Sequence, residues 1–380
     1  MRQKVLVGLS GGIDSAVTAV LLKEAGFEVY GAIVEIWEGE EPGGENRPWF
    51  ERACCHLPMV EYLCKETLDI PHVTIPRIKE FKDRVVGSFR AGYQSGMTPN
   101  PCTVCNAEIK LKSLRERADS EGIPFVATGH YVQKKYAEQE GYWGIAEGRD
   151  LKKDQSYFLS RVDDTLLEKT IFPLGGWTKE EVRDFGRTKG LPVDEMVENM
   201  EACFLSAKNV PKFLQSEVGS PQDPEWSVVD GSGLLLGAIP NGIGLTKGQR
   251  RGIGIPSAER MYVRKIDIAA KSVVMGTKEE ILDRSFRIES PMGPYFKKKM
   301  NCAVSVRFRS TMNKIVCQRR DSEETGFDLI SPSDGVTPGQ VAVFYNNDGI
   351  VVGSGIISGD AEERVIPGSS FTNQEPGWGN

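Results

Sequence analysis

The chain has 380 residues, 39% of them apolar and 26% charged, which suits a soluble globular protein with two or three separately cored domains. No apolar run approaches the ~20 residues of a membrane span. The start, Met1-Arg2-Gln3-Lys4, has neither the apolar core nor the cleavage site of a secretory leader, so a cytoplasmic protein with no membrane partner is expected. In chain order, residues 4–9 form an apolar run suited to a buried parallel strand. Residues 14–25 place Ala16, Val17, Val20, Leu21 and Leu22 at helical spacing, and Gly26 stands where the helix should stop. Residues 28–36 predict the next strand, which completes a βαβ unit and implies a parallel sheet. Further strands are predicted over 70–75 and 124–128, and helices over 80–93, 107–120 and 178–189. Beyond about Ala207, Gly and Pro become frequent. Short strands are then expected over 302–309, 314–320, 341–345 and 350–357, with turn residues at 346–349. The organisation expected is an α/β domain over 1–207, a small β-rich domain over 208–275, an all-β, barrel-like domain over 276–358 and a frayed tail over 359–380.

The net charge of −6 is unevenly spread. Residues 284–320 contain ten cations (Arg284, Arg287, Lys297, Lys298, Lys299, Arg307, Arg309, Lys314, Arg319, Arg320) against Glu289 alone, so the window carries +9 and the rest −15. Such a segment is either a phosphate-contacting surface or a solvated face. The eight cysteines, in a chain expected in a reducing compartment, point to metal or redox chemistry more than to disulfides. With three histidines, a His-rich metal site is not expected.

Two motifs carry chemistry. Ser10-Gly11-Gly12-Ile13-Asp14-Ser15 lies between the first strand and its helix, where small residues let backbone N–H groups close on an anion. No Gly-Lys-Ser/Thr follows, so it is not a Walker A loop; it resembles the PP-loop of ATP pyrophosphatases, which cleave ATP to AMP and pyrophosphate. The second motif, Asn100-Pro101-Cys102-Thr103-Val104-Cys105-Asn106, sets two thiols at a helix start, where the dipole favours thiolate.

With these and the segments Ala127–Tyr131, Lys153–Leu159, Cys203-Phe204, Gly244–Ile255 and Thr337–Gln340 in order, the chain resembles the MnmA/TrmU family of tRNA-uridine 2-sulfurtransferases over roughly residues 4–358. The resemblance implies a PP-loop ATP pyrophosphatase (adenine nucleotide alpha hydrolase-like) domain and 2-thiolation of the wobble uridine in tRNA. It implies that Gly8, Leu9, Ser10, Gly11, Gly12, Ile13, Asp14, Ser15, Val34 and Gly129 hold ATP with Mg²⁺. Cys105 would be the nucleophile and Cys203 the persulfide carrier, charged by a cysteine desulfurase or sulfur-carrier protein. Asn100, Pro101 and Cys102 would sit by the target base, with His130, Lys153, Asp154, Gln155, Arg307, Phe308 and Gln340 contacting tRNA.

The chain departs from the family pattern in three places. Cys102 stands where many members have Asp, Glu198-Asn199 replaces Asp-Ser, and Leu111 replaces Phe. The first change leaves two readings open: Cys102, Cys105 and Cys203 as three ligands of a [4Fe–4S] cluster, or a metal-free relay through Cys105 and Cys203. Rival functions are a PP-loop paralogue thiolating another RNA position, a PP-loop amidating ligase acting on a small molecule, and an interaction protein with a decayed ATP site. No role is assigned to Cys54 and Cys55.

Overall fold

The computed structural model describes residues 2–37, 57–138, 141–194, 196, 204–205, 210–215, 225–298, 300, 302–321 and 323–359. The expected tail, apart from Gly359, lies outside these, as do Cys54, Cys55, Glu198, Asn199 and Cys203.

The chain opens with β1 (Lys4–Gly8), the helix Ile13–Glu24, β2 (Glu28–Glu35), β3 (His72–Pro76) and β4 (Phe125–Ala127). A hairpin follows, β5 (Val132–Ala137) and β6 (Tyr142–Glu147), then the short β7 (Thr170–Ile171). Strands β3, β2, β1, β4 and β7 form one sheet in that order, all parallel. The run Val5-Leu6-Val7 is fully buried because both faces are covered. On one face lie the helix Ile13–Glu24 and the segment around Met59 and Leu63; on the other lie the helical stretches 78–94 and 101–120. Gly26 adopts φ 88°, and its N–H closes the helix on the Lys23 carbonyl, as the sequence predicts.

The middle of the chain forms a four-stranded sheet from β8 (Trp226–Val229), β9 (Leu235–Ile239), β10 (Tyr262–Asp267) and β11 (Ser272–Gly276), in the order β10-β11-β8-β9. The last part closes into a barrel of β12 (Asp283–Met292), β13 (Val304–Arg307), β14 (Ile315–Arg319), β15 (Gly326–Ser333), β16 (Val341–Tyr345) and β17 (Val351–Ile357). Closure depends on the length of β12: its first half pairs with β15 and its second with β17. The interior is filled by Phe286, Phe308, Phe327, Phe344 and Tyr295. Asn346 makes the predicted turn between β16 and β17, its Oδ1 accepting from the N–H groups of Asp348 and Ile350.

The first domain and the barrel share a core. Val132, Ile145, Tyr157 and Leu159 pack with Val341, Val343 and Tyr345, and β6 bridges to Ile350. Among the described residues, no helix is long and apolar enough to cross a membrane.

Candidate active site

The phosphate loop begins where β1 ends. Gly11 turns the chain at φ 83°, a conformation that favours glycine, and Gly12 caps the next helix without a side-chain bond to its first N–H groups. Ser15, nearly buried, donates to the Gly12 carbonyl at 2.8 Å and accepts from the Ser10 N–H at 3.2 Å, so the loop is braced from within. Gly129, at the end of β4, lies against this loop. A Cβ there would stand 2.8–2.9 Å from the Asp14 carbonyl carbon and oxygen and the Ser15 nitrogen. Val34 is buried on the neighbouring β2. Leu114 presses against Gly8 from the helical stretch that begins with the cysteines, which ties the two motifs into one body.

Asp14 points across the loop into a ring of donors that sequence reading missed. Tyr131 donates its hydroxyl to Asp14 Oδ1 at 2.7 Å. Lys179 Nζ reaches Oδ1 at 2.7 Å and Oδ2 at 2.9 Å. The Lys179 side chain is only 11% exposed. It stands at the first position of the helix Lys179–Thr188, whose start is fixed by a capping box of Thr178 and Glu181. A cation in the first helical turn opposes the helix dipole. That mismatch is the one signal from which sequence reading could have flagged Lys179.

The cysteine motif lies where three parts of the molecule meet. Asn100 Oδ1 accepts from the N–H groups of Cys102 and Thr103, and Pro101 occupies the first helical position, which starts the helix Pro101–Val104. The turns then widen into a π-helix over Cys105–Leu111 before the α-helix resumes. Thr98, just upstream, donates its N–H to the Pro338 carbonyl, accepts from Gln340 Nε2 at 2.9 Å, and bonds through its hydroxyl to Thr246 of the middle domain. Gln340 Oε1 also faces Asn100 Nδ2 at 3.5 Å. Cys102 is half-buried. Cys105 is buried and belongs to the core cluster that also holds Phe89, Tyr93, Phe213 and Phe204, the last being the residue that follows Cys203 in sequence. No group of three metal-binding side chains occurs among the described residues. Cys102 and Cys105 lie one helical turn apart; the cluster reading uses both thiols and the relay only Cys105, and the further thiol that both readings need, Cys203, lies outside the described residues.

The residues expected at the RNA separate into two kinds. Gln155 faces Tyr131 and makes two bonds to its backbone, at 2.9 and 3.2 Å, while Lys153 is half-exposed. His130 is half-buried, its Nδ1 bonded to Thr128 Oγ1 at 2.9 Å. Burial, and secondarily the Lys110 charge, push its pKa down to about 3. Asp154, Arg307 and Phe308, by contrast, are buried. The Asp154 carboxylate accepts from Gly148 N, Ser156 N, Ser156 Oγ and Arg307 Nη1. Arg307 also pairs with Glu147 at 2.8 Å and lies over the Tyr345 ring, and Phe308 packs edge-on to Phe286 in the barrel core. The basic window is likewise part-neutralised: Arg287, Lys297, Arg307, Lys314 and Arg320 each sit in an ion pair. Arg309 is exposed, bonded to Thr337 Oγ1 and close to Gly248 at the three-part junction.

Comparison with known proteins bears on this arrangement. A family model described as the tRNA methyl transferase HUP domain matches residues 3–207, and one described as the aminomethyltransferase beta-barrel domain matches residues 283–357. The tRNA-specific 2-thiouridylase MnmA 1 of Caldanaerobacter subterraneus subsp. tengcongensis is 36% identical over 363 residues, 94% of this chain and 98% of that protein. The tRNA-specific 2-thiouridylase MnmA of Caldicellulosiruptor saccharolyticus is 36% identical over 364 residues, 94% and 99% of the two chains. That of Herpetosiphon aurantiacus is 35% identical over 359 residues, 93% and 98%.

Proposed function

The chain belongs to the tRNA-specific 2-thiouridylase family, and from that premise we propose that it adenylates the wobble uridine of tRNA and replaces O2 of that base with sulfur. The observation that carries the reading is the pairing, in one body, of a self-braced phosphate loop with a dithiol motif at a three-part junction. A methyl transferase needs neither a loop built for an anion nor two thiols at a helix start.

Uracil O2 is a poor leaving group. In the first step it attacks the α-phosphorus of ATP; the bond to the β-phosphate breaks, its electron pair leaves with pyrophosphate, and the base loses its N3 proton. The open N–H groups after Gly12 would hold the phosphates, Val34 and Gly129 would border the adenosine, and Asp14 would face the nucleotide. The Asp14 oxygens already accept from Lys179 and Tyr131, so Mg²⁺ would be carried by the nucleotide's phosphates, where it would supply charge neutralisation for the departing pyrophosphate.

In the second step the terminal sulfur of a Cys203 persulfide attacks C2 and AMP departs. The Cys105 thiolate then attacks the Cys203 sulfur, forms the Cys105–Cys203 disulfide and leaves its electrons on the sulfur of the thiolated base; an external thiol restores the pair. A cysteine desulfurase or sulfur-carrier protein would supply the persulfide in the cytoplasm. A [4Fe–4S] cluster on Cys102, Cys105 and Cys203 would instead supply a bound sulfide. The tRNA would lie across His130, Lys153 and Gln155, with Asn100–Cys102 at the base. Asp154, Arg307 and Phe308 would shape that surface from beneath it.

Purified protein should convert ATP to AMP and pyrophosphate only with uridine-bearing tRNA present, and nucleoside mass spectrometry should find 2-thiouridine once a persulfide donor is added. ATP turnover indifferent to tRNA would overturn the reading. Anaerobic reconstitution of wild type and the variants Cys102→Ala, Cys105→Ala and Cys203→Ala, with iron, sulfide and thiolated tRNA quantified, decides the sulfur route. Full thiolation by iron-free protein eliminates the cluster. About four irons per chain, with no activity in their absence, eliminates the relay.

A further inference from the structure

Asp14, Tyr131 and Lys179 are far apart in sequence, yet they converge on one carboxylate. We infer that Lys179 and Tyr131 are positioning residues for the adenylation step: they fix the Asp14 carboxylate at the phosphate loop, and the 149–155 loop holds each of them in place. This inference rests on the adenylation reading above and names the machinery behind it.

The geometry supports it on three counts. First, Lys179 addresses both carboxylate oxygens and Tyr131 addresses one, so rotation about the Asp14 side chain is blocked from two directions. Lys179 Nζ also lies 5.9 Å from the Tyr131 ring centroid, so the two donors restrain each other. Second, Lys179 is placed against its helix's own preference. A first-turn cation opposes the dipole, and the Asp14 carboxylate is the charge that compensates it, at a side chain only 11% exposed. A lysine serving solubility would extend into water.

Third, both donors are anchored to one loop. Asp150 Oδ2 accepts from the Lys179 N–H at 3.0 Å, Arg149 pairs with Glu181 of the same helix, and the Arg149 N–H bonds to the Gly175 carbonyl. At the loop's other end, Gln155 grips the Tyr131 backbone through both its side chain and its N–H. Asp14, Lys179, Asp150, Gln155 and Tyr131 thus form a closed circuit. The loop expected to meet RNA is the same loop that sets the carboxylate at the ATP end.

The test measures the single-turnover rate of pyrophosphate release at saturating ATP and tRNA, together with direct binding of each ligand and the thermal melt. For Lys179→Met the release rate should fall about a hundredfold or more, with tRNA affinity within about twofold and an unchanged melt. Tyr131→Phe should lose about tenfold, one hydrogen bond's share. Lys179→Arg should recover part of the rate. The double variant Asp14→Ala/Lys179→Met should be no slower than Asp14→Ala alone, because the lysine acts through the aspartate. Asp150→Ala should slow release while tRNA affinity stays within about twofold, whereas Asp150→Asn, which keeps the acceptor, should retain the rate.

A Lys179→Met rate within threefold of wild type would overturn the inference, and so would losses that multiply in the double variant. A Lys179→Met protein with an altered melt shifts the decision to Lys179→Arg and Asp150→Ala, and wild-type rates in both would overturn the inference equally. Wild-type protein that releases no pyrophosphate with any tRNA would sink the adenylation reading itself, a separate result.

Discussion

At the scale of single residues, the site is decided by contacts too close to adjust. Gly129 has no room for a methyl group, and the atoms it would meet are Asp14 and Ser15 backbone, which cannot swing aside as a side chain end can. Gly129→Ala should therefore abolish ATP-dependent pyrophosphate release and destabilise the fold by about 1–3 kcal/mol, the ordinary cost of overpacking, measurable by urea titration. His130 sets a pH dependence of known sign. Its pKa in the folded chain, about 3, lies below the unfolded value near 6.5, so between these the unfolded chain binds the extra proton. The stabilisation is complete above about pH 6.5 and is lost as pH falls, at no more than about 1.4 kcal/mol per pH unit. Because the side chain is only half-buried, solvent screening keeps the effect under that limit. Urea titrations at pH 7, 6 and 5 should show this slope in wild type and a shallower one in His130→Gln.

At the scale of elements, local signals are legible in the sequence and tertiary ones are not. Gly26, the Ser10–Ser15 loop, the Asn100-Pro101 helix start and the Asn346 turn are legible because each depends on residues within a few positions of itself. The β5–β6 hairpin was not foreseen. β5 is largely polar and β6 largely apolar, and Tyr136 and Trp143 pair on an exposed face, so no apolar alternation marks the hairpin. Lys179 and Tyr131 were missed because only the fold brings them to Asp14. Arg307 reads as a surface charge in sequence because a sequence window does not contain its partners, Glu147 and Asp154. The Asn100 cap is a measurable piece of local design: Asn100→Ala should cost about 0.5–2 kcal/mol and loosen the start of the cysteine helix. Hydrogen exchange should report this as faster exchange at the Cys102 and Thr103 amides.

At the scale of the whole molecule, the three parts are joined through Thr98. Gln340→Ala should leave ATP binding unchanged yet depress thiolation, because the brace on the segment proposed to meet the target base is lost while the Ser10–Ser15 loop, closed by its own serines, is untouched. The partial neutralisation of the basic window predicts an asymmetry in RNA binding. Arg309→Ala should weaken tRNA affinity and reduce the salt slope by about one. Lys314→Ala should leave that slope in place, since Lys314 is already engaged by Glu147. Filter binding across a salt series separates the two.

The bond from Gln340 to Thr98 spans 242 positions of sequence. On a ribosome adding ~5–20 residues per second, it must wait on the order of ten to fifty seconds after Thr98 is made. Through that interval the residues of the Ser10–Ser15 loop already exist, while the Thr98 segment stands without its brace. The Thr98 segment of a growing chain therefore takes up its final bonds only near the end of synthesis, when the last barrel strands emerge.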